Sequence, residues 1–297
     1  MKRFLRQSFA FIAIILLCLV AFWALICSNR DETLKLPPNT NIVFLGTSHI
    51  ACAINDNVVK NSFNFARNAE NMEFVYCKIK LLKKYNPRLD TIVVGFDNSL
   101  LIFNTSTPKL YSPYYYDTYN FRDLKTILTR GKYSYIESHF AQPFNWLKLF
   151  QVIESYFSPV VDARLLDEIG GYIYSNRDKL DEAIKRHTNR NNIQSNIKCD
   201  IIAEYFLNEI ENYCKKNKIT LLFMHTPMHK VVRNDGDLLY ERYYKQKYSH
   251  IKFYDFREMY LPDSCFGDLD HLNYKGAKAF SEFLEKEVLH KQNYPIK

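Results

Sequence analysis

Asn41-Ile-Val-Phe-Leu-Gly-Thr-Ser-His49 is a continuous apolar run that stops at a glycine and two hydroxyl residues. A short run with no polar alternation reads as a strand buried on both faces, as the centre of a parallel sheet requires. The carboxyl end of such a strand is where an open α/β sheet places ligands and reactive groups, which puts Ser48 at a functional edge.

The flanking segments repeat the pattern. Ser62-Phe-Asn-Phe-Ala66 reads as a second strand and Thr91-Ile-Val-Val-Gly95 as a third. Between them, Glu70 to Tyr85 carries apolar residues at helical spacing (Phe74, Cys77, Leu81, Leu82) and stops at Asn86-Pro87. Further on come a helix over Asp200 to Lys216, a strand over Ile219 to Met224, a helix over Leu238 to Tyr248, a strand over Ile251 to Asp255 and an amphipathic helix over Lys275 to Leu289. Strands alternating with helices predict an α/β fold: a three-layer α/β/α sandwich on a mostly parallel five-stranded sheet.

From about 100 to 196 the rhythm breaks. Tyr111, Tyr114, Tyr115, Tyr116 and Tyr119 crowd together, with helix-like segments near 123–128 and 144–157. This stretch reads as a Tyr-rich helical insertion over the functional edge of the sheet. Tyr114 and Tyr115 are candidates for stacking on sugar rings; the competing reading packs these rings into the insertion's own small core.

At the amino terminus, Met1 to Arg6 carries three positive charges and Phe9 to Cys27 has none. At about 1.5 Å per residue this helix spans roughly 28 Å, close to the ~30 Å hydrocarbon core. Residues 1–29 therefore read as a cytoplasmic stub and single membrane anchor, and 30–297 as an exported domain, because positive charge before a span stays inside. A cleaved signal peptide and a lipoprotein processed at Cys27 are the alternatives; the run is long for the first, and Leu25 and Ile26 are poor neighbours for the second.

The chain has 297 residues, a formal charge of +8 and seven cysteines. The charge suits an anionic partner such as phospholipid head groups or envelope polyanions, but the abundance of Lys, Asn, Ile and Tyr together favours a biased genome as its source. No compact basic cluster with an aromatic platform argues for nucleic acid. The odd, widely spaced cysteines form no disulfide framework and no Cys-x-x-Cys pair. His225-Thr-Pro-Met-His229 has the spacing of a zinc pair, but Pro227 forbids a regular helix through it, so it reads as a loop at the rim of the cleft. No metal or organic cofactor is expected.

The chemistry gathers at Asp268-Leu-Asp-His271. On a turn entering a helix, a carboxylate three residues before an imidazole can fix the ring's tautomer while the ring takes a proton. Ser48 is a weak nucleophile until a base removes its proton, so the pair completes it. The competing readings make Ser48 a helix cap, His271 a surface ring, and Asp268 or Asp270 a cap on the last helix. Asn273 and Gly276 read as turn and helix-entry residues.

Over residues 41–98 and 198–290 these stretches together resemble the SGNH (GDSL-like) hydrolase family, in which the serine follows the first strand and an Asp-x-x-His near the carboxyl end supplies the rest of the triad. The membrane-anchored branch, similar to the alginate O-acetylation proteins and the D-alanyl transfer protein of teichoic acid synthesis, also starts with a membrane helix. The resemblance implies a flavodoxin-like sheet and a Ser48, His271, Asp268 triad working through an acyl-enzyme on an ester, chiefly acetyl, of an envelope glycan. It also implies a domain outside the bacterial inner membrane, in the periplasm, and a membrane-bound O-acyltransferase partner.

An oxyanion hole in that family uses the serine N–H, a glycine amide after the second strand and an asparagine after the third. Here Asn64-Phe-Ala-Arg-Asn-Ala69 has no glycine, and Gly95-Phe-Asp-Asn98 puts Asp97 where the asparagine belongs. The expected donors are therefore Ser48, Asn68, Ala69 and Asn98, with His49 contacting substrate or turned elsewhere. An anionic Asp97 would repel an oxyanion. These departures support a second reading: a catalytically weak or inactive relative that binds glycan or scaffolds an acyltransferase complex.

Overall fold

Five short strands pair in parallel into one sheet: β1 (Ile42–Leu45), β2 (Ser62–Asn64), β3 (Thr91–Gly95), β4 (Thr220–His225) and β5 (Phe253–Asp255), in the order β2-β1-β3-β4-β5. This is the flavodoxin-like, doubly wound order, as expected. The structure, a computed structural model, describes residues 2–102, 118–130, 170–188, 199–232 and 239–289. Tyr114, Tyr115, the expected helix at 144–157 and most of the expected insertion lie outside them.

Successive side chains on a strand point to opposite faces, and both faces are apolar, so the sheet makes two cores. Val43, Leu45, Ile92, Val94, Phe223 and Phe253 pack against α3 (Met72–Tyr85) and α7 (Ile201–Lys216). Phe44, Val93, Met224 and Tyr254 pack against α2 (Ser48–Ala53) and α9 (Tyr274–Phe283). Two smaller helices, α5 (Phe121–Arg130) and α6 (Leu180–Thr188), add to opposite faces: Ile127 joins the first core and Leu180 the second. Burial of one such side chain stabilises the fold by about 1.5–3 kcal/mol.

Within the domain, the boundaries of α3, α7 and the last two helical segments agree with the expected ones to within two residues, with two differences in kind. The segment expected as one helix over 238–248 is α8 (Leu239–Tyr243) followed by a π turn over Tyr244–Tyr248. The wider turn lets Tyr240, Tyr243 and Tyr248 all face the core while Lys247 turns out to Glu204. The last helix likewise ends in a π turn, Leu284–Val288.

The first helix, α1 (Lys2–Thr33), is long and apolar enough to cross a membrane. Phe9, Phe11, Ile14, Leu17 and Val20 stand exposed, so α1 is not a core helix of the domain.

Tyr119 is half-buried against Phe206 and donates its hydroxyl to Glu73. This ring therefore packs on α3 and α7 of the main core and not in a core of the insertion's own.

Candidate active site

Because β1 leads to β2 on one side while β3 lies on the other, the chain reverses its winding between β1 and β3, the position where an open α/β sheet forms a crevice at the carboxyl ends of its strands. Gly46 and Gly95 meet there. Gly46 has φ +144°, a backbone state that favours glycine, and a side chain on Gly95 would come within 2.6 Å of Ile50 Cγ1. This close approach lets α2 begin directly above the sheet.

Thr47, not Ser48, caps α2: its Oγ1 accepts from the His49 N–H at 3.4 Å. The Ser48 hydroxyl is therefore left for other work, and it lies 2.7 Å from Nε2 of His271. Nδ1 of His271 lies 2.9 Å from Oδ1 of Asp268, which also accepts the backbone N–H groups of Asp270 (3.0 Å) and His271 (2.9 Å). Arg177 Nη1 donates to Oδ2 at 2.6 Å. Burial raises the Asp268 carboxyl, but bonding to His271, together with its charge and Arg177, overrides this and holds it well below the usual carboxylate range. An anionic Asp268 only accepts, so Nδ1 carries the ring proton and Nε2 is the acceptor facing the serine.

The loop carrying these groups is closed on itself. Gly267 donates to the His271 carbonyl at 2.9 Å, Phe266 and Leu272 bridge antiparallel, and Asn273 caps α9 through the N–H groups of Lys275 and Gly276. Asn273 and Gly276 thus occupy the turn and helix-entry positions expected of them.

A second His–Asp pair stands beside the first. His49 Nδ1 lies 2.8 Å from Oδ2 of Asp97, and the His49 ring sits edge-on to that of His271, 5.1 Å between centroids. Asp97 was expected to face an oxyanion as a bare charge. It is instead bonded on both oxygens, with Oδ1 accepting the N–H groups of Ser99 (2.8 Å) and Leu100 (3.2 Å) as the cap of α4 (Asn98–Leu101). Burial raises Asp97 too, and the His49 cation more than reverses this, holding the carboxyl well below its ordinary range.

Of the other expected donors, Asn98 turns its amide oxygen to the Tyr240 N–H at 2.9 Å. Asn68 and Ala69 lie in the loop after β2, which is tied to the nucleophile turn by the Arg67 N–H bonded to the Gly46 carbonyl at 3.0 Å. Ala69 has φ +49°. Tyr114 and Tyr115 are outside the described residues.

After His225 ends β4, residues 226–229 form a loop, as expected, and both histidine rings are buried. His225 is 3% exposed and bonds the Thr226 carbonyl; His229 is 1% exposed, with its Nε2 3.3 Å from Asp263. Pro227 breaks the backbone between them, and each ring takes its own partner in the packed end of the sheet. Among the described residues, no group of three or more His, Cys, Asp or Glu is placed to hold a metal ion.

Two features were missed in the sequence. Arg177 sits in an ordinary polar stretch and carries no local signal. The His49–Asp97 pair had one: β1 and β3 are in-register neighbours (Leu45 opposite Val94), so residues just past their ends fall side by side.

A protein-family model that carries no description matches residues 104–293. No curated protein matches the chain. A solved structure from Streptococcus pneumonia, named as a proposed platelet activating factor, is similar with 11% identity and a TM-score of 0.39, covering 91% of this chain and 97% of that one. A likeness that weak carries no argument about function.

Proposed function

The chain belongs to the family matched over residues 104–293, whose model names no activity, and we propose from the site that it is an SGNH-like serine esterase or acyltransferase. One observation carries the reading: Ser48 Oγ, His271 and Asp268 stand in line at 2.7 Å and 2.9 Å. In this reading Asp268 holds the ring, His271 Nε2 takes the Ser48 proton as Oγ adds to an ester carbonyl, and the same proton then goes to the leaving alcohol. The acyl-enzyme passes its acyl group to water or to a second hydroxyl.

The substrate proposed is a short acyl ester, chiefly acetyl, on an envelope glycan, with the domain held outside the bacterial inner membrane by α1 and a membrane-bound O-acyltransferase as partner. The detergent-solubilised full chain should hydrolyse p-nitrophenyl acetate, and Ser48→Ala should fall to the buffer rate. Equal rates in the two proteins would overturn the enzyme reading in favour of a glycan-binding scaffold.

A further inference from the structure

The crevice holds a pair that the triad chemistry does not use. His49 follows the nucleophile, and Asp97 reaches it from the next strand of the sheet, 2.8 Å from Nδ1. Asp97 is 5% exposed, and its other oxygen is held by two backbone N–H groups and by the Ser99 hydroxyl. A carboxylate fixed in this way has one direction left, toward the ring, so Nδ1 carries a proton. The far nitrogen, Nε2, has no partner among the described residues, and the side chain keeps 15% of its surface exposed. The 67° edge-to-face contact with His271 sets both rings on the one crevice.

Charge decides what that arrangement can do. Acyl transfer through Ser48 places a negative charge on the former carbonyl oxygen, close to a buried carboxylate that would oppose it. A protonated His49 cancels the Asp97 charge and offers an N–H besides. We infer that His49, oriented by Asp97, donates through Nε2 to the oxyanion formed when Ser48 attacks, and so is a further catalytic residue. This rests on the acyl-transfer reading of Ser48.

In the step itself a bond forms from Ser48 Oγ to the carbonyl carbon, and the C=O π pair moves onto oxygen. The serine proton passes to His271 Nε2. His49 keeps its own proton and shares it as a charge-assisted hydrogen bond. On collapse the pair returns to C=O, and the leaving alkoxide takes the proton from His271.

The surroundings favour the cation. Asp97 faces His49 from the turn before α4, and Asp268 and Asp270 face it from the loop before α9; His225, at the end of β4, is pulled down by burial, which favours its neutral form. Burial alone would lower His49, but Asp97 by charge and hydrogen bond, helped by the other two carboxylates, pushes it up to about 9. Above that value Nε2 turns from donor to acceptor.

The test uses the full chain in detergent with p-nitrophenyl acetate, subtracting the Ser48→Ala rate at each pH. His49→Ala should lower kcat about 10²-fold, the usual effect of removing an oxyanion donor, with KM changed far less. His49→Gln, which keeps an N–H without the charge, should lose about tenfold and guards against a folding failure of the alanine variant. The Ser48-dependent kcat of the native protein should fall as pH rises through about 9, and Asp97→Asn should move that fall toward the ordinary 6.5. Ser48-dependent turnover that is unchanged in both His49 variants, or an alkaline limb that stays put in Asp97→Asn, overturns the inference while leaving the triad intact. A native rate no greater than that of Ser48→Ala removes the acyl-transfer reading and this inference with it.

Discussion

Arg177 and Asp268, ninety-one positions apart, meet through a 2.6 Å bond from Nη1 to Oδ2. The other carboxylate oxygen is given to His271, so the acid is held from both sides. Asp268→Asn removes the acceptor that sets the ring tautomer and should lower kcat by about 10²–10⁴, by analogy with other triads. Arg177 is half-exposed, 49% of its side chain, so water screens its charge. Arg177→Ala should lower kcat by less than about tenfold and stability by no more than about 1 kcal/mol. Steady-state kinetics and urea denaturation of both variants check the contrast; equal losses would mean that Arg177 matters as much as the acid.

Lys78 is fully buried on α3 and donates to the Phe65 carbonyl at 2.8 Å and to the equally buried Glu70. These bonds brace the loop that carries Asn68 and Ala69. Lys78→Met leaves the buried Glu70 carboxylate with only the longer Arg67 ion pair, 3.6 Å from Nε to Oε1, and should destabilise the domain by about 3 kcal/mol. Adding Glu70→Gln should restore a large part of that loss, because the charge left behind is then gone. Denaturation midpoints of the single and double variants decide it, and additive losses would count against a coupled pair.

The His49–Asp97 pair ties stability to pH. The His49 imidazolium is favoured in the folded state, up to about 9 against 6.5. A raised value means that its contribution is whole below pH 6.5 and is lost as pH climbs through about 9. Stability should therefore drop by a few kcal/mol at most between pH 6.5 and 9.5. Asp97 and Asp268 act in the opposite direction, through lowered carboxyls, so their share persists above the ordinary carboxylate range and fails only in strong acid. Melting curves across this alkaline window should slope less in Asp97→Asn than in the native chain.

Gly276 enters α9 five residues after His271, where an added Cβ would overlap the Cys265 carbonyl oxygen. That carbonyl accepts the Asn273 N–H at 3.0 Å and closes the triad loop. Gly276→Ala should cost about 1–3 kcal/mol of stability through overpacking. Because the strain falls on the loop bearing His271, Ser48-dependent turnover should fall as well; unchanged turnover in the folded variant would show that the loop moves independently of the helix start.

Much of this architecture was legible beforehand, since hydrophobic period is a local property. Ile42–Leu45 and Thr91–Gly95 could be read as doubly buried strands from their composition alone, and the spacing of Phe74, Cys77 and Leu81 marked a helix. The π turn after Tyr243 was hidden, because the need for Tyr248 to point inward comes from the sheet packed beneath it. The burial of His225 and His229 was hidden for the same reason.

Chain order and residue type already specified the alternation of strands and helices, the parallel sheet, the apolar leading helix, and a serine followed much later by an Asp-x-x-His. Those features depend on neighbours a few residues apart. That His49 takes Asp97, that Ser48 meets His271, and that Arg177 reaches Asp268 came only with folding. They depend on groups 48 to 223 positions apart that the switch between β1 and β3 brings within hydrogen-bond reach.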